Sequence, residues 1–80
     1  MKIPAIKKLV ETYSVKELET AEIAITEGEV PKIEIEGSDE GEQLTHVIAA
    51  VWIHYEMDKH KLDFKDALRE YTKKVRESIN

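Results

Sequence analysis

Leu44-Thr45-His46-Val47-Ile48-Ala49-Ala50-Val51-Trp52-Ile53-His54-Tyr55-Glu56-Met57 is the stretch that decides how this chain folds. Leu44, Ile48, Val51 and Tyr55 recur at helical spacing. Val47, Ala49, Ala50, Trp52 and Ile53 then spread apolar surface nearly all round the middle. A helix that is apolar on every side is a buried one. Upstream, Asp39 stands as an N-cap with Glu42 three residues on as its box partner, and acids at a helix start suit the positive end of its dipole. These features predict a central helix over residues 40–57.

Moving outward toward the N-terminus, Lys32-Ile33-Glu34-Ile35-Glu36 alternates strictly, the pattern of a half-buried strand. A lone strand cannot satisfy its own backbone, and no second strand is readable in the chain. The segment therefore either lies extended across the helices with Ile33 and Ile35 tucked in, or pairs with its copy in a dimer; the first is the preferred expectation. Ahead of it, Ser14-Val15-Lys16-Glu17 is a capping box, with Tyr13 and Leu18 at the two staple positions. Leu18, Ala21 and Ile25 continue an apolar face to about Thr26, and Gly28 supplies the residue that stops the helix. Ile3, Ile6, Leu9, Val10 and Tyr13 make an earlier amphipathic helix over 4–13, with Pro4 in its first turn.

Beyond the central helix, Asp58 to Leu62 reads as a polar link. Asp63 caps a fourth helix whose stripe is Phe64, Leu68, Tyr71, Val75 and Ile79, with Lys73, Lys74 and Arg76 near its end. The expected architecture is an all-α, compact four-helix bundle around a buried third helix, with one extended segment at about 32–36. Residues 1–80 form a single domain.

Composition narrows the function classes. The 80 residues hold no cysteine, which removes disulfides and thiolate chemistry. Residues 17–42 carry ten acids against one lysine, whereas 1–16 carry four lysines against one glutamate and 43–80 seven bases against six acids. An acidic middle repels nucleic acid and anionic membrane. The longest apolar run, Val47 to Ile53, is far short of the roughly 20 residues of a membrane span. No apolar block follows the N-terminal lysines, so the expectation is a cytoplasmic protein with neither nucleic-acid nor membrane partner.

The stretch Glu36-Gly37-Ser38-Asp39-Glu40-Gly41-Glu42-Gln43-Leu44-Thr45-His46-Val47, together with Ser14 to Ala21 and Ala67-Leu68-Arg69-Glu70-Tyr71-Thr72, resembles a family of short bacterial proteins classed as a domain of unknown function. The resemblance covers nearly the whole chain. It implies a cytoplasmic, stand-alone bacterial protein and carries no activity, substrate or catalytic residue with it.

Three histidines are the candidates for chemistry. His46 lies four residues after Glu42 and His54 four before Asp58, spacings that put an imidazole beside a carboxylate on one helix face. That is how a metal ligand or an activated base is supported. His46 and His54, however, stand about 80° apart round an ideal helix and roughly 12 Å apart along it, so they cannot hold one ion together. His60 joins His54 only if the link folds back. With no H-E-x-x-H and no C-x-x-C, the expectation is no metal, no cofactor and no catalytic residue; His46, His54 and Asp58 are the candidates should a metal bind.

Other residues suit a protein partner. Trp52 on the central helix fits a core or a subunit interface. Ile33 and Ile35, the turn acids Glu40 and Glu42, and the basic arc Lys65, Arg69, Lys73 and Arg76 complete the set. The leading functional expectation is a non-catalytic protein–protein interaction module that self-associates as a homodimer, because the central helix is too apolar for a small bundle to cover easily. Ala49 and Ala50 would let a second helix approach. The alternative is a small enzyme or a ligand- or metal-binding protein using His46 or His54 with nearby carboxylates. A helix–turn–helix reader of DNA is disfavoured, since acids outnumber the one lysine of its reading helix, residues 15–26.

Overall fold

The computed structural model describes residues 2–79, and side-chain surroundings as far as residue 77, so the expectation for Ile79 lies outside the described side chains. Four helices form: α1 (Ile3–Thr12), α2 (Val15–Thr26), α3 (Glu40–His60) and α4 (Phe64–Ile79). Among the described residues there is no strand. Helices α1, α2 and α4 all pack on α3. The core is built from Ile6, Leu9 and Val10 of α1, Leu18, Ala21 and Ile25 of α2, Val47, Ala49, Ala50 and Ile53 of α3, and Ala67 of α4. The all-α bundle around the third helix is therefore as the apolar pattern predicts.

Local chemistry sets each boundary. Ser14 accepts from the Glu17 N–H at 3.2 Å, and the Glu17 carboxylate accepts from the Ser14 N–H at 3.0 Å. This reciprocal pair starts α2 with only two residues between it and α1, leaving Tyr13 and Ser14 extended as a corner. Asp39 caps α3 through the Glu42 N–H at 2.8 Å. The Glu42 carboxylate does not return to Asp39; it accepts from the Ser38 N–H at 3.0 Å, one residue earlier. Asp63 caps α4 through the Asp66 N–H at 2.9 Å.

Two expectations need correction. Helix α3 runs three residues past Met57, so Asp58, Lys59 and His60 are helical and the link shrinks to Lys61–Asp63. Polar side chains do not stop a helix. The stop comes at Lys61, which adopts the left-handed conformation (φ 55°), with the Leu62 N–H returning to the Met57 carbonyl at 3.1 Å. Nor is α3 covered on every side, because Ile48 and Tyr55 remain 43% and 52% exposed.

Segment 32–36 forms no ladder. Ile35 is buried, Ile33 is half-buried against the core, and the Gln43 side-chain amide donates to the Ile35 carbonyl at 3.2 Å. This is the first of the two expected arrangements. Ala49 and Ala50 are completely buried in the core of their own chain, where they admit its own helices closely.

The two central histidines fasten α1 to α3. His46 is fully buried. Its Nε2 lies 2.9 Å from the Lys2 backbone nitrogen and its Nδ1 2.7 Å from the Glu36 carbonyl oxygen. A backbone N–H only donates and a carbonyl only accepts, so the ring carries its proton on Nδ1 and accepts at Nε2. His54 Nε2 lies 2.9 Å from the Tyr13 carbonyl and must donate to it. One histidine thus holds the start of α1 and the other the residue that ends it.

A candidate interaction groove beside the second helix

The C-terminus of α2 shapes an open apolar surface. Gly28 takes the left-handed conformation (φ 79°). Its N–H donates to the Ile25 carbonyl at 3.0 Å, and the Glu29 N–H donates to the Ala24 carbonyl at 2.8 Å. This pair of bonds is the Schellman ending, which closes a helix and redirects the chain. Residues 29–33 then run along α2, held there by the burial of Ile35 and its bond from Gln43.

Between α2 and this returning segment lies a groove of about 550 Å³, walled by Ala21, Ile23 and Ala24 on one side and Val30 and Ile33 on the other. Ile23 is 58% exposed and Val30 90% exposed. Large aliphatic side chains left this open cost free energy in water, and clustered exposure of this kind marks contact surfaces. The polar groups at the groove are Lys16, Glu17, Thr20, Glu29 and Lys32, and all five side chains are exposed. None is desolvated, so none is poised to recognise a small polar ligand strongly. Among the described residues no buried side-chain nitrogen or oxygen lacks a partner.

Of the residues proposed from the sequence to meet a partner, Ile33 alone lines this groove. Ile35 sits in the core. Trp52 is half-buried on α3, its ring 5.5 Å from that of Tyr71 and tilted by 56°. Glu40 borders a smaller cavity of about 210 Å³ near Ile25, Pro31 and Gln43. Glu42 is engaged with Ser38. Lys65, Arg69, Lys73 and Arg76 are all exposed on α4, the last three beside a shallow depression with Thr72 and Glu77.

The histidine candidates are spoken for by structure rather than brought together. Both ring nitrogens of His46 are bonded to main chain, and neither bond involves Glu42. His54 turns to Tyr13, while Asp58 is exposed. His60 lies on α3 beside Glu56 at 3.4 Å, not in a loop that reaches His54. No group of three or more metal-ligating side chains occurs among the described residues.

Tyr55 touches Glu19 of α2 through its hydroxyl at 3.3 Å. The carboxylate's negative charge holds that hydroxyl above its ordinary pKa. This exposed contact ties α2 to α3 on the side of Glu19.

The sequence pattern assigns no partner role to Ile23, Ala24, Val30 and Thr20, and places Lys16 only within the capping box. A signal existed for one of them: Ile23 lies off the stripe of Leu18, Ala21 and Ile25, so it had no assigned place in the core. Val30 precedes a proline, which placed it in a turn but said nothing of what lay beside it.

The chain belongs to a family of unknown function, DUF6952, whose model matches residues 1–80. No curated protein and no solved structure matches it. No helix among the described residues is long and apolar enough to cross a membrane.

Proposed function

We propose that this chain is a non-catalytic protein–protein interaction module that self-associates. The observation supporting this reading is the groove beside α2, where Ile23 and Val30 stand open to water on a rigid helix and an anchored segment. An enzyme built on His46 would need a ring nitrogen free to meet substrate, and His46 has none: it is fully buried with both nitrogens bonded. The basis for self-association also moves. Ala49, Ala50 and Ile35 are consumed inside the chain, and the widest-open aliphatic side chains, Val30 and Ile23, lie on the α2 side, ahead of Ile48 on α3.

A second reading draws on the groove's size, since about 550 Å³ falls in the range of small-molecule sites. The absence of any buried polar group among its lining residues argues for a protein surface instead. Sedimentation velocity or light scattering across a wide concentration range tests the proposal. The expected result is a mass rising from 9.2 kDa toward twice that value. A chain that stays at its monomer mass into the high micromolar range overturns it.

A further inference from the structure

We infer that the partner seated on this groove is a second copy of α2, crossing antiparallel about a two-fold axis; this rests on the self-association reading. Lys16, Thr20 and Ile23 of α2 and Glu27, its C-cap, fall within an arc of about 60° at 100° per residue. All four are exposed, and the arc lies opposite the buried Leu18, Ala21 and Ile25. Read along the helix, the arc is positive, polar, apolar, negative. Turned end for end, that order is its own complement.

An antiparallel copy can face this arc in a register that sets Lys16 against Glu27 of the second chain and Thr20 against Ile23, each pairing occurring twice. The copy's Ile23 then meets the groove at Thr20 and Ala24, with Val30 and Ile33 as the far wall. A two-fold of this kind brings the same flank of each helix together, so Glu19 faces Ile23 and Thr26 of the second chain rather than another acid. The competing register, with Ile23 against Ile23, sets Glu19 against Glu27 and is repelled. Charge therefore selects the first. A two-fold contact needs such self-complementarity, because one patch must serve both sides. Helix α2 spans only about 18 Å, which suits a modest, reversible dimer.

The experiment measures dimer affinity by sedimentation for the wild-type chain, Ile23→Glu, Lys16→Glu, Glu27→Lys and the double reversal Lys16→Glu/Glu27→Lys, with far-ultraviolet circular dichroism to verify that each variant is folded. All substituted positions are exposed, so folding is expected to survive. Ile23→Glu should abolish the dimer. Each single reversal should weaken it by about tenfold, because two surface pairs are lost and replaced by repulsion. The double reversal should restore it. Glu27→Lys is the sharpest arm: it lowers the net charge of −5 toward zero, so general repulsion between copies would predict a stronger dimer, not a weaker one.

A dimer that persists in Ile23→Glu overturns this surface while leaving self-association standing. Failure of the double reversal to rescue overturns the antiparallel register. A wild-type monomer, with the groove left to some other protein or apolar ligand, overturns both this inference and the reading beneath it.

Discussion

The fully buried His46 accepts a hydrogen bond from the backbone N–H of Lys2 at 2.9 Å, joining residues 44 apart in sequence across a part-buried site. The other ring nitrogen donates to the Glu36 carbonyl. One side chain thereby ties the N-cap of α1, the acidic segment before α3 and α3 itself into a single unit. The arrangement uses the imidazole as a rigid spacer with one donor and one acceptor at fixed separation. Only the neutral ring, protonated on Nδ1, meets both demands.

Replacing His46 by leucine leaves the Lys2 N–H and the Glu36 carbonyl without that partner. An unpaired buried polar group costs about 1–3 kcal/mol. Because Lys2 and Glu36 lie at the part-buried ends of these bonds, urea unfolding of His46→Leu is expected to show a loss of about 1–3 kcal/mol. His46→Gln, whose amide also carries a donor and an acceptor, should recover part of that loss. Equal stability for wild type and His46→Leu would mean the two bonds contribute nothing.

Gly37 is required for space. A Cβ there would lie 2.7 Å from the Gln43 Cγ and 2.8 Å from the Gln43 backbone nitrogen. The side chain can shift, but the backbone at the start of α3 cannot do so freely. Gly37→Ala should destabilise the fold by about 1–3 kcal/mol, in line with other overpacked sites. It should also weaken the Gln43-to-Ile35 bond, read as faster amide exchange over residues 33–37.

Lys61 ends α3 in a conformation that a residue with a Cβ adopts at a cost of about 1–2 kcal/mol. Glycine avoids that cost but loses more conformational freedom on folding, about 0.5–1 kcal/mol. Lys61→Gly is therefore expected to stabilise the chain by several tenths to about 1 kcal/mol in thermal or urea unfolding. A loss of stability would show that the lysine side chain contributes more than the backbone term.

Tyr71 packs its ring against Trp52, and burial raises its hydroxyl above the ordinary value of 10.0. Folding therefore favours the neutral phenol. Its contribution is fully present below the unfolded value and is lost as pH rises through the higher folded one. Tyr71→Phe has no proton to lose, so its stability should fall less steeply with pH above about 10. Parallel slopes for the two proteins would exclude Tyr71 from the alkaline transition.

Much of this fold is legible along the chain because its signals are local. The Ser14–Glu17 box, the Asp39 and Asp63 caps and the left-handed Gly28 each act within a few residues, where chemistry and spacing coincide. The apolar excess of residues 44–57 marked the helix around which the others pack, since burying that surface is the dominant favourable term. The end of α3 was less legible: Lys61 carries no glycine-like signal, and Asp58-Lys59-His60 suits a link as well as a last turn.

Tertiary structure decided what the histidines and the exposed isoleucine are for. Periodicity placed His46 near Glu42 and His54 near Asp58, but hydrogen bonds go to whichever polar group folding brings within 3 Å. Here those groups are main-chain atoms of α1, its corner and the segment before α3. The groove likewise belongs to no single stretch of sequence. It exists because the Schellman ending of α2 and the burial of Ile35 lay residues 29–33 alongside the helix, and a gap between two elements is a property of their separation rather than of either sequence.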